Sequence, residues 1–362
     1  MARRFVVADG ALLMAIGVYC GCVVLLGYLY GISDQVNLNL YNDTAGISVF
    51  VLCAIYVCDR ILRTWWNRPN AWPLFAVKRF RAALPFVIAM PAFMSAYNSG
   101  KSLLPTIYPY RWDSTFARWD EWIHGVQPWR LLYPILGNST GAHAMDFIYM
   151  LWFPVFLGTF CWQLFSLSRP ELRRQFFATY FLTWILLGTV LTIMFSSAGP
   201  CFYERVTGQS SSYDELMTHL RQYPLRSTAA QDYLWKLYRA NQTSVLGGIS
   251  AMPSMHASMA VLCALVVWRA NRLAGITLAV FAVLVGIACV YLGWHYAVDV
   301  YLAAVGTVAT WWAVGFFGQG RSPGSGGALT CEVQRDLDPS EPAGRLFPFV
   351  LLGTLSPQAP GI

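Results

Sequence analysis

The sequence predicts an all-α integral membrane protein with about eight transmembrane helices. Three observations carry that expectation. Apolar residues fill 56% of the 362 positions and charged residues only 12%, against about 25% charged in ordinary soluble domains. Fifteen tryptophans are present, and indoles gather at membrane–water boundaries. Apolar runs near the roughly 20 residues that a span needs recur along the chain. That much apolar surface exceeds what one soluble core buries, so most of it has to face lipid. A net charge of +7 would suit nucleic acid, but no basic block or motif of that kind is present. Arginines at the inner leaflet account for it.

The runs lie at about 10–30, 45–62, 83–104, 141–163, 176–195, 251–268, 273–292 and 295–317. "MARR" before the first run imitates a signal peptide, but the run is span-length and lacks a small-residue cleavage site, so it reads as a span that stays. The third is the weakest, because Pro85 and Pro91 interrupt it. Membrane helices tolerate such interruptions where neighbours satisfy the freed backbone groups. Arg3 and Arg4 precede the first run, and Arg60, Arg63, Arg68, Lys78, Arg79 and Arg81 fill the gap after the second. Arg169, Arg173 and Arg174 follow the fourth, and Arg269 and Arg272 the sixth. The alternate gap 31–44 has two aspartates and no lysine or arginine. Positive residues mark the cytoplasmic side, so both termini are expected there.

The two longer connections then fall outside. In 105–140, "RWDSTFARWDEWIHG" spaces Trp112, Phe116, Trp119 and Ile123 as one helical stripe, which predicts a helix lying in the outer interface. In 199–250, "SSYDELMTHL" and "QDYLWKLYRA" read as short amphipathic helices forming a lid or a rim through which lipid enters. "GQGRSPGSGG" from about 318 announces a linker. The expected organisation is 1–80, two spans and a basic cytoplasmic loop; 81–317, a catalytic membrane domain; and 318–362, a flexible tail. The nine cysteines lie nearly all in apolar runs and read as small core residues rather than a disulfide framework.

Two stretches carry chemistry. "SAMPSMHASM" at 250–259 and "YLGWHYAVDV" at 291–300 place His256 and His295 at the starts of the sixth and eighth runs, hence at similar depth on the outer side. Ionisable residues in membrane segments are rare and functional by default. His295 and Asp299 at i, i+4 would share a helical face. A carboxylate on one imidazole nitrogen fixes the tautomer and leaves the other free to attack. His256 stands in a first helical turn after Pro253 and Ser254, where unpaired amides suit a phosphate and the ring a departing oxygen. A lone histidine at a span end is ordinarily a packed interfacial residue; two on one face argue against that. A zinc site of His256, His295 and Asp299 is the other reading, and no fourth ligand stands out.

"PSMH" with "YLGWHYAVD" resembles the second and third signature motifs of the type 2 phosphatidic acid phosphatase superfamily. "SSAGPCFY" at 196–203, then "AMPSMHASM", and upstream "WDSTFARWDEWIHG" are similar to its inositol phosphorylceramide synthase branch. The resemblance implies a six-helix phosphatidic-acid-phosphatase-like core and a phosphohistidine on His295, oriented by Asp299. His256 would protonate the leaving group, and amides near Ser254 and Met255 would hold phosphoryl oxygens. It implies no metal and no cofactor. The donor would be a lipid phosphate or phospholipid. The acceptor would be a lipid alcohol, a polyol or water, at the periplasmic face of a bacterial inner membrane. The superfamily's basic first motif has no clear counterpart. Cys289 stands where an arginine is usual, and Met255 where many members have glycine. The phosphate's positive clamp is therefore sought in Arg205, Lys236 and Arg239, with Tyr203 as a headgroup contact. The rival class is a non-catalytic lipid-binding protein, transporter or scramblase. Transporters place their sites near the midplane, often within repeats, and no repeat appears here.

Overall fold

The computed structural model describes residues 2–42 and 72–319. The expected second span, much of the basic loop after it and the tail from 320 onward lie outside the described residues. Everything regular among them is helical: α1 (Ala2–Leu29), α2 (Trp72–Ile107), α3 (Asp113–His124), α4 (Pro128–Leu136), α5 (Ser139–Phe165), α6 (Pro170–Met194), α7 (Tyr203–Thr207), α8 (Ser212–Leu220), α9 (Arg226–Arg239), α10 (Met255–Ala270), α11 (Arg272–Tyr291) and α12 (Ala297–Gln319).

Among the described residues, five helices are long and apolar enough to cross a membrane: Gly10–Leu29, Ser139–Phe165, Pro170–Met194, Arg272–Tyr291 and Ala297–Gly318. They coincide with the first, fourth, fifth, seventh and eighth apolar runs. The third run lies inside α2, which continues through Pro85, Pro91 and Pro105 for 36 residues but is not among the five. The sixth run yields a shorter apolar helix of 16 residues. Its first four expected residues stay outside, because Ser254 caps the helix by accepting the Ala257 amide at 3.3 Å.

α10 is the central helix, packed against α5, α6, α11 and α12. Aromatic side chains from α2, α5 and α6 fill the space beside it. Phe86 stacks on Phe177 at 4.3 Å, and Phe93 meets Phe181 edge-on at 4.9 Å. The turn after α5 and the turn after α10 meet at one end of the bundle, where the Arg169 guanidinium donates to the Arg269 carbonyl at 2.7 Å. The long connections gather elsewhere. Arg111 N–H donates to Ser196, Tyr110 Oη–H to Ile249, Ala251 N–H to Ser197 and Cys201 N–H to Gly293. These bonds tie four distant segments into one cap around the starts of α10 and α12.

Candidate active site

His256 and His295, 39 residues apart in sequence, face each other with ring centroids 6.3 Å apart. His256 is the second residue of α10. Its ring stacks on Tyr149 of α5 at 4.6 Å and leans on Trp152 at 4.5 Å; its Nδ1 lies 3.4 Å from the Tyr149 hydroxyl. Tyr149 in turn stacks on Trp294 at 5.7 Å. The i, i+3 pair Tyr149 and Trp152 thus forms an aromatic wall that fixes one side of the histidine pair.

His295 is not on a helix. It sits in the bend before α12, which begins at Ala297, so the expected helical face shared with Asp299 does not exist. The two residues meet for a different reason. Asp299 is the third residue of α12 and reaches back to accept the Tyr296 amide at 2.9 Å, as a helix-capping carboxylate does. That places its Oδ2 3.6 Å from His295 Nδ1, near enough for charge pairing but too far for a hydrogen bond. The hydrogen bond goes to the Ala251 carbonyl at 2.8 Å. A carbonyl only accepts, so Nδ1 carries the proton and Nε2 of the neutral ring carries the lone pair.

The first turn of α10 supplies donors. The Ser254 amide is engaged by the Asp299 carbonyl at 3.3 Å, and the Ser254 hydroxyl caps the helix. The Met255 and His256 amides belong to the turn whose N–H groups have no intrahelical partner, so they are better placed than Ser254 to meet an anion. Cys289, buried, lies under this cap with its sulfur 3.9 Å from Ser254 Oγ.

The remaining expected residues lie on the connection 199–250. Arg205 pairs with Asp232 at 3.5 Å and lies over the Trp235 ring at 5.1 Å. Lys236 and Arg239 are exposed on α9. Tyr203 is buried, its hydroxyl on Ser114 at 3.3 Å. Asp146 caps α9 by accepting the Arg226 and Ser227 amides. Among the described residues, no three His, Cys, Asp or Glu side chains cluster so as to hold a metal ion.

Sequence reasoning passed over two carboxylates that organise the site. Asp113 accepts the amides of Ala198 and Gly199 at 2.9 and 2.8 Å and the Tyr296 hydroxyl at 2.9 Å. Asp120 accepts the Ala297 and Val298 amides at 2.7 and 2.9 Å, capping α12 immediately after His295. Both are almost fully buried. The signal was present: Arg-Trp-Asp occurs at 111–113 and again at 118–120, two helical turns apart on one face. Lys101 was also passed over; its stem crosses Gly248, where an added Cβ would stand 2.8 Å from Lys101 Cγ, three residues before the Ala251 carbonyl that His295 bonds.

A family model described as the PAP2 superfamily matches residues 114–314, more than half of the chain. Searches of curated proteins and of solved structures returned no match.

Proposed function

The chain belongs to the PAP2 superfamily, and on that premise we propose that it is a phosphotransferase or phosphatase of membrane lipids that works through a phosphohistidine on His295. Membership supports the phosphatase or phosphotransferase class and action on lipid phosphates. One observation carries the finer reading: the Ala251 carbonyl holds the proton on Nδ1 of His295, so Nε2 is a ready nucleophile beside a second imidazole. The ring centroids stand 6.3 Å apart, which puts the second imidazole beside a phosphoryl group attacked by the first, in reach of one of its oxygens.

In the first step Nε2 attacks phosphorus, the bond to the leaving oxygen breaks, and His256 gives that oxygen its proton. The imidazolium formed on His295 is offset by the Asp299 carboxylate 3.6 Å away. In the second step an alcohol or water attacks phosphorus, His256 takes its proton, and the P–N bond returns its electrons to Nε2. The Met255 and His256 amides hold the equatorial oxygens, whose charge changes most along the path. A lipid alcohol or polyol acceptor makes the enzyme a transferase of the inositol phosphorylceramide synthase type; water makes it a phosphatase. The catalytic unit spans 81–317, with two preceding spans and a C-terminal tail. The histidine end faces the periplasm of a bacterial inner membrane.

The test is turnover by purified protein in detergent with EDTA, on a panel of lipid phosphates and phospholipids, with and without ceramide or diacylglycerol. His295→Ala should lower turnover by roughly 10³-fold or more and abolish acid-labile phosphoprotein. His256→Ala should lower it by about 10²–10⁴-fold. Acceleration by the acceptor identifies a transferase and indifference to it a phosphatase. Full activity in His295→Ala would sink the phosphohistidine.

A further inference from the structure

The helices that carry the histidines have a second working face. α11 and α12 each pack against α10 but scarcely against each other. Between them lies an open groove of about 560 Å³, within the range of small-molecule sites. The end of α3 and the start of α4 stand at one end of it, through His124 and Pro128. Ala257, Val261, Ala264 and Trp268 line it from α10, about a third of a turn away from His256. From α12 it is lined by Ala297, Val300, Tyr301 and Ala304, on the face nearly opposite Asp299. The groove therefore backs onto the histidine pair without belonging to it.

Its chemistry is that of hydrocarbon with polar ends. No lysine, arginine, aspartate or glutamate lines it. At one end the Tyr301 hydroxyl meets His124 Nε2 at 2.8 Å, and at the other stands the Trp268 indole. From Ala257 to Trp268 the floor runs about 16 Å, the depth of one leaflet of a hydrocarbon core about 30 Å thick. α11 and α12 are two of the helices able to cross a membrane, so the open side faces lipid. Water does not fill so apolar a cleft. A helix 10–12 Å across would take on the order of 1,300 Å³ over that length, more than twice what the groove holds. Hydrocarbon chains, which pack at carbon–carbon contacts of about 3.5–4.0 Å, are narrow enough.

We propose that this groove holds the acyl chains of a resident phospholipid, distinct from the lipid that reacts. Its place gives that lipid a task. Ala257 adjoins His256, and Ala297 is the residue whose amide Asp120 holds, so the chains brace the starts of both α10 and α12.

The probe is phosphatidylcholine with a photoactivatable diazirine midway along one acyl chain. It is added to the full-length protein in detergent; unretained lipid is washed away before illumination, and the labelled peptides are mapped. Label should fall on Val261, Leu265 and Ile287 in the groove about tenfold or more above the exposed α1 face at Met14 and Val18. Ala264→Phe/Ala304→Phe, which fills the groove, should lower the retained lipid about tenfold or more, and Val18→Phe should not. Added phosphatidylcholine should raise the melting temperature of washed wild type, as a ligand of the folded state does, and leave that of the filled variant unchanged. Even labelling of groove and α1 face, or undiminished retention in the filled variant, overturns the proposal. A groove that takes no label is filled by protein, either residues 45–62 of this chain or a second copy, and overturns it too. Label on Tyr149 and Trp152 as well as the groove would assign the chains to a lipid at the histidine pair, and the resident lipid would fall. None of these readings depends on turnover, which decides the phosphohistidine separately.

Discussion

The Asp299 carboxylate has two neighbours for one oxygen. Oδ2 accepts the Tyr296 amide and stands 3.6 Å from His295 Nδ1, while Oδ1 is buried without a hydrogen-bond partner among the described residues. Asp299→Asn keeps an oxygen for the amide and removes the charge. If the charge supports the imidazolium, kcat should fall about 10²-fold while KM and melting temperature hardly move. Steady-state kinetics beside thermal unfolding decide it, and an unchanged kcat would leave the residue a helix cap only. Gly199 tests the opposite wall. It has φ +104°, and a Cβ there would stand 2.6 Å from the Trp294 carbonyl oxygen. Gly199→Ala should cost about 1–3 kcal/mol and displace the bend that carries His295, lowering both melting temperature and kcat. The two histidines were legible in the sequence because titratable side chains are scarce in apolar runs. The place of Lys101 was not, since a lysine at a span end looks like any snorkelling residue and its neighbour Gly248 is far along the chain. For Arg205 the charge was visible, but its partner Asp232 was not.

α3 binds the cap together through its two aspartates, one on the 198–199 loop and one on the first turn of α12. Asp120→Ala would leave the Ala297 and Val298 amides without their carboxylate and should cost about 1–3 kcal/mol, read as a lower melting temperature in detergent. Asp113→Ala should cost a similar amount, and the pair should be non-additive, because Tyr296 bonds Asp113 and adjoins the amides held by Asp120. Burial lifts both carboxyls above the ordinary aspartate range, while the amides they accept pull them back. A raised pKa in the fold means tighter proton binding folded than unfolded. The associated stability is full below the unfolded value of about 3.9 and is lost as pH rises through the folded value. Wild type should therefore gain melting temperature, relative to Asp113→Asn/Asp120→Asn, as pH is lowered from 7.5 toward the unfolded value of about 3.9; a relative loss would contradict the sign. The helix itself was predictable from its aromatic spacing. Its buried face was not: Trp119, Trp122 and Ile123 are exposed while the carboxylates point inward. Hydrophobicity alone cannot announce that helix starts and a glycine turn are waiting for acceptors.

At the scale of the molecule, apolar run length located five helices able to cross a membrane, and it could do so because the bilayer sets that length directly. It was less informative at α2, where prolines and polar residues dilute the run, and at α10, where a cap shortens the helix. The arrangement also bears on orientation. The Arg169 and Arg269 turns are bonded to each other at one end, while the histidines lie at the start of α10, with a 16-residue helix between His256 and the Arg269 turn. If the basic end is cytoplasmic, exposed positions on the two sides should differ in access from outside the cell. Ser168, exposed beside Arg169, and Ser210, exposed after α7, suit single Ser→Cys substitutions read above the native cysteine background. A membrane-impermeant maleimide should label Ser210→Cys in intact cells and reach Ser168→Cys only after the membrane is opened. The reverse pattern would place the histidine pair in the cytoplasm, and the donor and acceptor would then be lipids of the inner leaflet. Labelling of both positions without permeabilisation would mean that the two turns do not lie on opposite sides, and the transmembrane reading of α10 would fall with it.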